Sequence, residues 1–163
     1  RGLDVRILGD ALEGEARDVA QNHAALAQQL AAAQKPGARP ILLLSGGELT
    51  VTRRGNGIGG PNAEYCLAMA IALQAAPGIY AIACDTDGVD GAAEIAGACI
   101  TPDTLASAIT AGLSPVEALA SNDAHSFFAA LDQFTFTGAM ANNGLELIEI
   151  GCQQGSAAIA GKV

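Results

Sequence analysis

The chain has 163 residues, half of them apolar, 4% aromatic and none Trp, so it can bury one domain core built from Ala, Leu, Ile and Val. A formal net charge of -9, from 17 acidic and 8 basic residues, weighs against nucleic acid or an anionic membrane as partner, since both need clustered Lys and Arg. Cys66, Cys84, Cys99 and Cys152 form no C-x-x-C pair and lie away from either histidine at metal-ligand spacing, which predicts buried thiols in a reducing cytoplasm.

In chain order, the opening Arg1-Gly2-Leu3-Asp4 lacks an initiator Met and the pattern of a signal peptide, and is expected to belong to a fragment of a longer protein. Residues 4–8 alternate as a strand. Residues 13–33 carry Ala16, Val19, Ala20, His23, Ala27 and Leu30 at helical spacing, and Lys35-Pro36-Gly37 ends that helix. The run Ile41-Leu42-Leu43-Leu44 predicts a buried strand stopping at Ser45-Gly46-Gly47, with another short strand over 49–53. A Gly-rich loop follows, and Pro61 is placed to open a helix reaching about residue 76. That helix is apolar around nearly its whole circumference, so it should be buried, yet it is too short to span a bilayer and carries Gln74. Residues 79–84 predict the next buried strand. Three shorter helices are expected to start at Thr101-Pro102, at the capping box Ser114-Pro115-Val116-Glu117, and at Asn122 or Asp123. Residues 135–137 and 145–150 read as late strands, and 151–163 as a loose tail. Strands alternating with helices predict an α/β fold: a Rossmann-like layered domain with a mainly parallel sheet and helices on both faces. Ligands of such sheets bind beyond the carboxyl ends of strands.

Three segments carry candidate chemistry. Arg53-Arg54-Gly55-Asn56-Gly57-Ile58-Gly59-Gly60-Pro61-Asn62 runs into a helix and places two of the few basic residues beside a glycine loop, a combination suited to phosphate or carboxylate. No Gly-Lys-Ser/Thr follows, so it is not a Walker A loop. No acidic residue closes a strand about twenty residues on, so it is not a dinucleotide fingerprint. A hairpin loop with solvated arginines is the alternative. Asp85, Asp87 and Asp90 crowd three carboxylates into one turn, which points either to Mg²⁺ or to a solvated turn whose Asp side chains cap local N–H groups. Glu48, just after the buried strand, could orient Arg54 or a ligand hydroxyl, or serve only the turn. His23 and His125 read as structural, and no Ser/His/Asp arrangement is evident.

Taken together, Leu43-Leu44-Ser45-Gly46-Gly47-Glu48-Leu49-Thr50-Val51-Thr52, Gly55-Asn56-Gly57-Ile58-Gly59-Gly60-Pro61-Asn62-Ala63-Glu64, Asp85-Thr86-Asp87-Gly88-Val89-Asp90-Gly91 and Ser121-Asn122-Asp123 resemble the MOFRL domain of the two-domain bacterial glycerate kinases, which are often named hydroxypyruvate reductases. The resemblance covers about residues 1–138. It implies residues 1–35 as the end of an N-terminal domain with its connecting helix, and 36–150 as a MOFRL-like C-terminal domain. It implies ATP-dependent phosphorylation of D-glycerate with Mg²⁺, in a cleft whose other wall, including a lysine, belongs to the N-terminal domain. In that picture Asp85 and Asp87 serve the metal or the acceptor and Asp90 holds the turn. Substrate or phosphate falls to Arg53, Arg54, Gly55, Asn56, Gly57, Gly59, Gly60, Asn62, Glu48, Asn122 and Asp123. Two features depart from the family. Pro61 and Ala63 stand where many members have Arg and Gln, and the sequence after Gly138 is unfamiliar. An NAD(P)H-dependent hydroxypyruvate reductase and a catalytically silent regulatory domain are the alternatives.

Overall fold

A computed structural model describes residues 2–135 and 146–152. The elements are β1 (Asp4–Glu15), α1 (Ala16–Ala33), β2 (Ile41–Thr50), α2 (Pro61–Leu73), β3 (Ile79–Asp85), β4 (Gly97–Ile100), α3 (Thr104–Thr110), α4 (Pro115–Ala120), α5 (Ala124–Leu131), β5 (Phe134–Thr135) and β6 (Glu146–Cys152). One sheet has the order β1-β2-β6-β3-β4-β5.

The apolar run from Ile41 forms the first part of β2. Its alternate residues Ile41, Leu43, Ser45 and Leu49 are buried. β2 does not stop at Gly46-Gly47, and 49–53 is not a separate strand. Pairing continues on both sides: Gly46 lies opposite Leu147 of β6, and Gly47 and Glu48 lie opposite Leu12 and Glu13 of β1. Two ladders thus override a local breaker. β1 is correspondingly longer than its alternating segment, with register shifts around Gly9 that absorb the irregularity.

β1 and β2 pair in parallel. β3 runs the same way as β2, because each is antiparallel to β6, which lies between them. The crossovers through α1 and α2 therefore keep β1, β2 and β3 in one direction, while β6 and the short β4 add antiparallel pairs. Four residues are too few for β4 to show a period in sequence.

On α1, Ala16, Ala20, Ala24 and Ala27 form a fully buried stripe of small side chains, and this face packs on α2. α2 is buried on nearly every side, as its composition requires. The sheet and α1 cover part of it. The short helices α3, α4 and α5 gather on α2, and α5 also packs on α3 and α4. Gln74 ends α2 in the left-handed region. Among the described residues, no helix is long and apolar enough to cross a membrane. The part of the expected tail at 151–152 is strand, whereas 136–145 and 153–163 lie outside the described residues.

Candidate functional site

Because β2 and β3 run in the same direction, the loop after β2 and the turn after β3 emerge at one end of the sheet. Asp90 joins them. Its side chain is fully buried. Oδ1 accepts from the Asn62 amide at 2.9 Å and from Asn62 Nδ2 at 3.2 Å; Oδ2 accepts from the Ala63 amide at 2.9 Å and meets His125 Nε2 at 2.9 Å. The N-cap residue of α2 is Gly60, which has no side chain to satisfy the first-turn amides, so a carboxylate from a distant turn does so, with the charge the helix N-terminus favours. A Cβ on Gly60 would press into that carboxyl group, which explains the glycine.

A second clamp comes from residues 121–123. The Ser121 carbonyl accepts from the Gly57 amide at 2.9 Å, and Asp123 Oδ1 accepts from the Ile58 amide at 2.9 Å and from Ser126 Oγ at 2.7 Å. Asn122 Oδ1 accepts from the Arg54 and Gly55 amides at 2.6 and 2.9 Å. Asn122 Nδ2 donates to Glu64 Oε2 at 2.8 Å and to the Thr52 carbonyl at 3.3 Å. Glu64 is buried and receives Arg17 Nε at 2.9 Å; Arg17 also reaches the Leu119 carbonyl at 3.3 Å. A Cβ on Gly57 would stand 2.7 Å from Asp123 Cα and 2.8 Å from the Asn122 carbonyl oxygen, so this glycine permits the loop to lie against 121–123.

These contacts decide which predicted groups face outward. Six amides of the stretch, those of Arg54, Gly55, Gly57, Ile58, Asn62 and Ala63, are bound to protein acceptors. Among the described residues, the amides of Asn56, Gly59 and Gly60 have no protein acceptor. Asn62 is fully buried against Asp90. Arg53 and Arg54 are exposed, and Arg53 Nη2 donates to the Gly57 carbonyl at 3.3 Å. Arg54 lies near Glu15. Burial alone would raise the Glu15 carboxyl, but the bonds from Thr52 and the Arg17 and Arg54 charges outweigh it and hold the group below its ordinary range. Glu48 is exposed on β2 opposite Glu13.

Asp85 is half-buried and Asp87 exposed. The Asp87 amide donates to Asp85 Oδ1 at 3.1 Å and the Val89 amide to Asp87 Oδ1 at 2.8 Å. Burial, together with the Asp87 and Asp90 charges, raises the Asp85 carboxyl above its ordinary range in spite of the Asp87 amide. Among the described residues no three His, Cys, Asp or Glu side chains stand close enough to hold a metal ion. With Asp90 turned inward, the acidic turn offers two carboxylates, which is the number Mg²⁺ accepts alongside water and substrate phosphates.

Arg17, Glu64 and His125 had not been picked out as parts of this framework. The signal was Glu64: an acid in a helix apolar on every side must find a buried partner.

The fold and the paired loops define an α/β domain in which the loop after β2 and the turn after β3 are joined at one end of the sheet. Residues 41–145 match the MOFRL family, and the chain belongs to it. It is 43% identical over 144 residues to an Agrobacterium vitis protein provisionally named a hydroxypyruvate reductase, covering 87% of this chain and 33% of that protein. It is 31% identical over 148 residues to the D-glycerate 2-kinase of Thermotoga maritima, covering 91% and 36%. The crystal structure of the Thermotoga maritima glycerate kinase superposes with a TM-score of 0.86 at 32% identity, over 93% of this chain and 36% of the other. The chain thus spans about a third of the length of these relatives.

Proposed function

We propose that this chain supplies one wall of a phosphoryl-transfer site in an ATP-dependent glycerate kinase, with 36–150 forming the MOFRL-like domain and residues 1–35 joined to it through β1 and α1. One observation carries the reading: Asp90 binds the start of α2, so the exposed Arg53–Arg54 pair and the Asp85–Asp87 pair come to the same end of the sheet. A cationic pair beside a carboxylate pair suits an anionic substrate and a divalent cation together.

On this reading Arg53 and Arg54 bind a phosphate or the glycerate carboxylate, aided by the amides of Asn56, Gly59 and Gly60. Asp85 and Asp87 would hold Mg²⁺, which when bound neutralises charge on the transferring phosphoryl group. A carboxylate of this pair that the metal leaves unbound would take the proton of the glycerate hydroxyl. The rest of the cleft, including a lysine and the enclosing wall, belongs to the other domain, so the 163 residues alone give no turnover in a cytoplasmic enzyme of this kind.

The name of the Agrobacterium vitis relative favours a second reading, reduction of hydroxypyruvate by NAD(P)H. Against it stands the engagement of most loop amides by Ser121, Asn122, Asp123 and Asp90, which leaves no pyrophosphate cradle of the dinucleotide type. Assaying the full-length protein with ATP plus D-glycerate, and separately with NAD(P)H plus hydroxypyruvate, distinguishes them. ADP formed only when glycerate is present supports the kinase; reduction of hydroxypyruvate without ADP formation supports the reductase.

A further inference from the structure

Asn122 lies in the left-handed region, at φ 56°, a conformation that non-glycine residues adopt at a cost and Asn most readily. It is 5% exposed. A carboxamide has two N–H donors and an oxygen with two lone pairs. All four are engaged: the donors by Glu64 Oε2 and the Thr52 carbonyl, the oxygen by the Arg54 and Gly55 amides. Nothing is left for a ligand, although the resemblance to glycerate kinases implies that Asn122 binds substrate.

The sense of the amide follows from its partners. An ionised carboxylate only accepts, so the NH₂ end must face Glu64 and the oxygen must face the loop. Glu64 itself is held by Arg17 of α1, and a buried ion pair thereby fixes which way one amide points.

We infer that Asn122 is a positioning residue: it touches no substrate, and it sets the backbone of Arg54 and Gly55 and hence the direction of the Arg54 guanidinium. Its kinetic consequence rests on the anion-binding reading of the loop; its hold on the backbone does not.

The test is Asn122→Gly in the full-length protein. Glycine keeps the left-handed backbone without strain, so the variant removes the side chain and its four hydrogen bonds. Amide hydrogen exchange at Arg54 and Gly55 should speed up about tenfold or more, the loss of one or two hydrogen bonds. The KM for one anionic substrate should rise about tenfold with kcat within about threefold, and the melting temperature should move by only a few degrees. Glu64→Gln, which can present either end of its own amide to Asn122, should speed the same two amides with Asn122 still present. A residue that merely stabilised the fold would lower melting temperature and kcat together and leave both KM values alone. Exchange at Arg54 and Gly55 within twofold of the wild type in Asn122→Gly overturns the inference whatever the activity. Faster exchange with both KM values unchanged overturns the link from Asn122 to Arg54's role. If the wild type lacks glycerate-dependent ATP turnover, the kinase reading falls, and the exchange data alone decide whether Asn122 positions the loop.

Discussion

Asp90 serves four donors with two oxygens: the Asn62 and Ala63 amides, the Asn62 side chain and His125. Removing it leaves buried donors with no acceptor and a helix without its cap. Asp90→Ala should therefore destabilise the fold by about 2–4 kcal/mol, read from denaturant unfolding. Asp87 contrasts with it in being exposed with one local bond from Val89, so its loss should cost little stability. Arg54 is exposed and its guanidinium is the group proposed to meet an anion. A charge-assisted contact is worth about 1.5–3 kcal/mol, so Arg54→Ala in the full-length protein should raise one KM, for ATP or for glycerate, roughly ten- to a hundredfold, and the constant that rises names the anion. Both constants within twofold of the wild type would leave Arg54 a solvated side chain. Gly57→Ala is a poor probe of the same point, because its Cβ would meet Asp123 and shift the loop regardless of any ligand.

At the scale of elements, the junction of α1 and α2 carries both a buried ion pair and a buried histidine. Arg17→Met would strand the Glu64 carboxylate in the interior, and the expected loss is about 3–5 kcal/mol. The double variant Arg17→Met/Glu64→Gln should recover much of it, and a double-mutant cycle measures the coupling. His23 contacts the Tyr65 hydroxyl at 2.9 Å, and burial lowers its pKa below the ordinary value, so the fold prefers it neutral. The unfolded chain then binds more protons than the native one below about pH 6.5. The stability contributed by neutral His23 is fully present above that pH and is lost as pH falls through it towards the lowered pKa. Unfolding free energy should decline from pH 7.5 to 5, and His23→Gln should flatten that slope; an unchanged slope would remove His23 as its source. The same elements show how far sequence pattern reaches. The burial of α2 was legible because no face of it is polar, and the Ser114 cap of α4 because its signal lies within four residues. The length of β2 was not, because the pairing that carries it through Gly46-Gly47 comes from a bulged β1 and from β6 about a hundred residues on. The Gly-rich loop stood out as unusual. Its occupation by 121–123, more than sixty residues away, could not be read from spacing, since glycines that admit a ligand and glycines that admit another segment look alike.

For the molecule as a whole, the sheet delivers two loops to one end, and buried side chains lock them together while leaving Arg53, Arg54 and Asp87 exposed and Asp85 half-buried. The apolar side chains of Ile58 in the loop and Val89 in the turn are also exposed there, at 60% and 41%. Because the chain spans about a third of its relatives' length, activity has to be read in the full-length protein. The most direct measurement is product formation from ATP, Mg²⁺ and D-glycerate by that protein and by its Asp87→Asn variant, with melting temperatures recorded alongside. The account predicts equimolar ADP and phosphoglycerate from the wild type, and from the variant a turnover lower by about a hundredfold or more, a transition-state loss of about 3 kcal/mol, at a nearly unchanged melting temperature. Unchanged turnover by the variant at saturating Mg²⁺, or no glycerate-dependent ADP from the wild type, would contradict it.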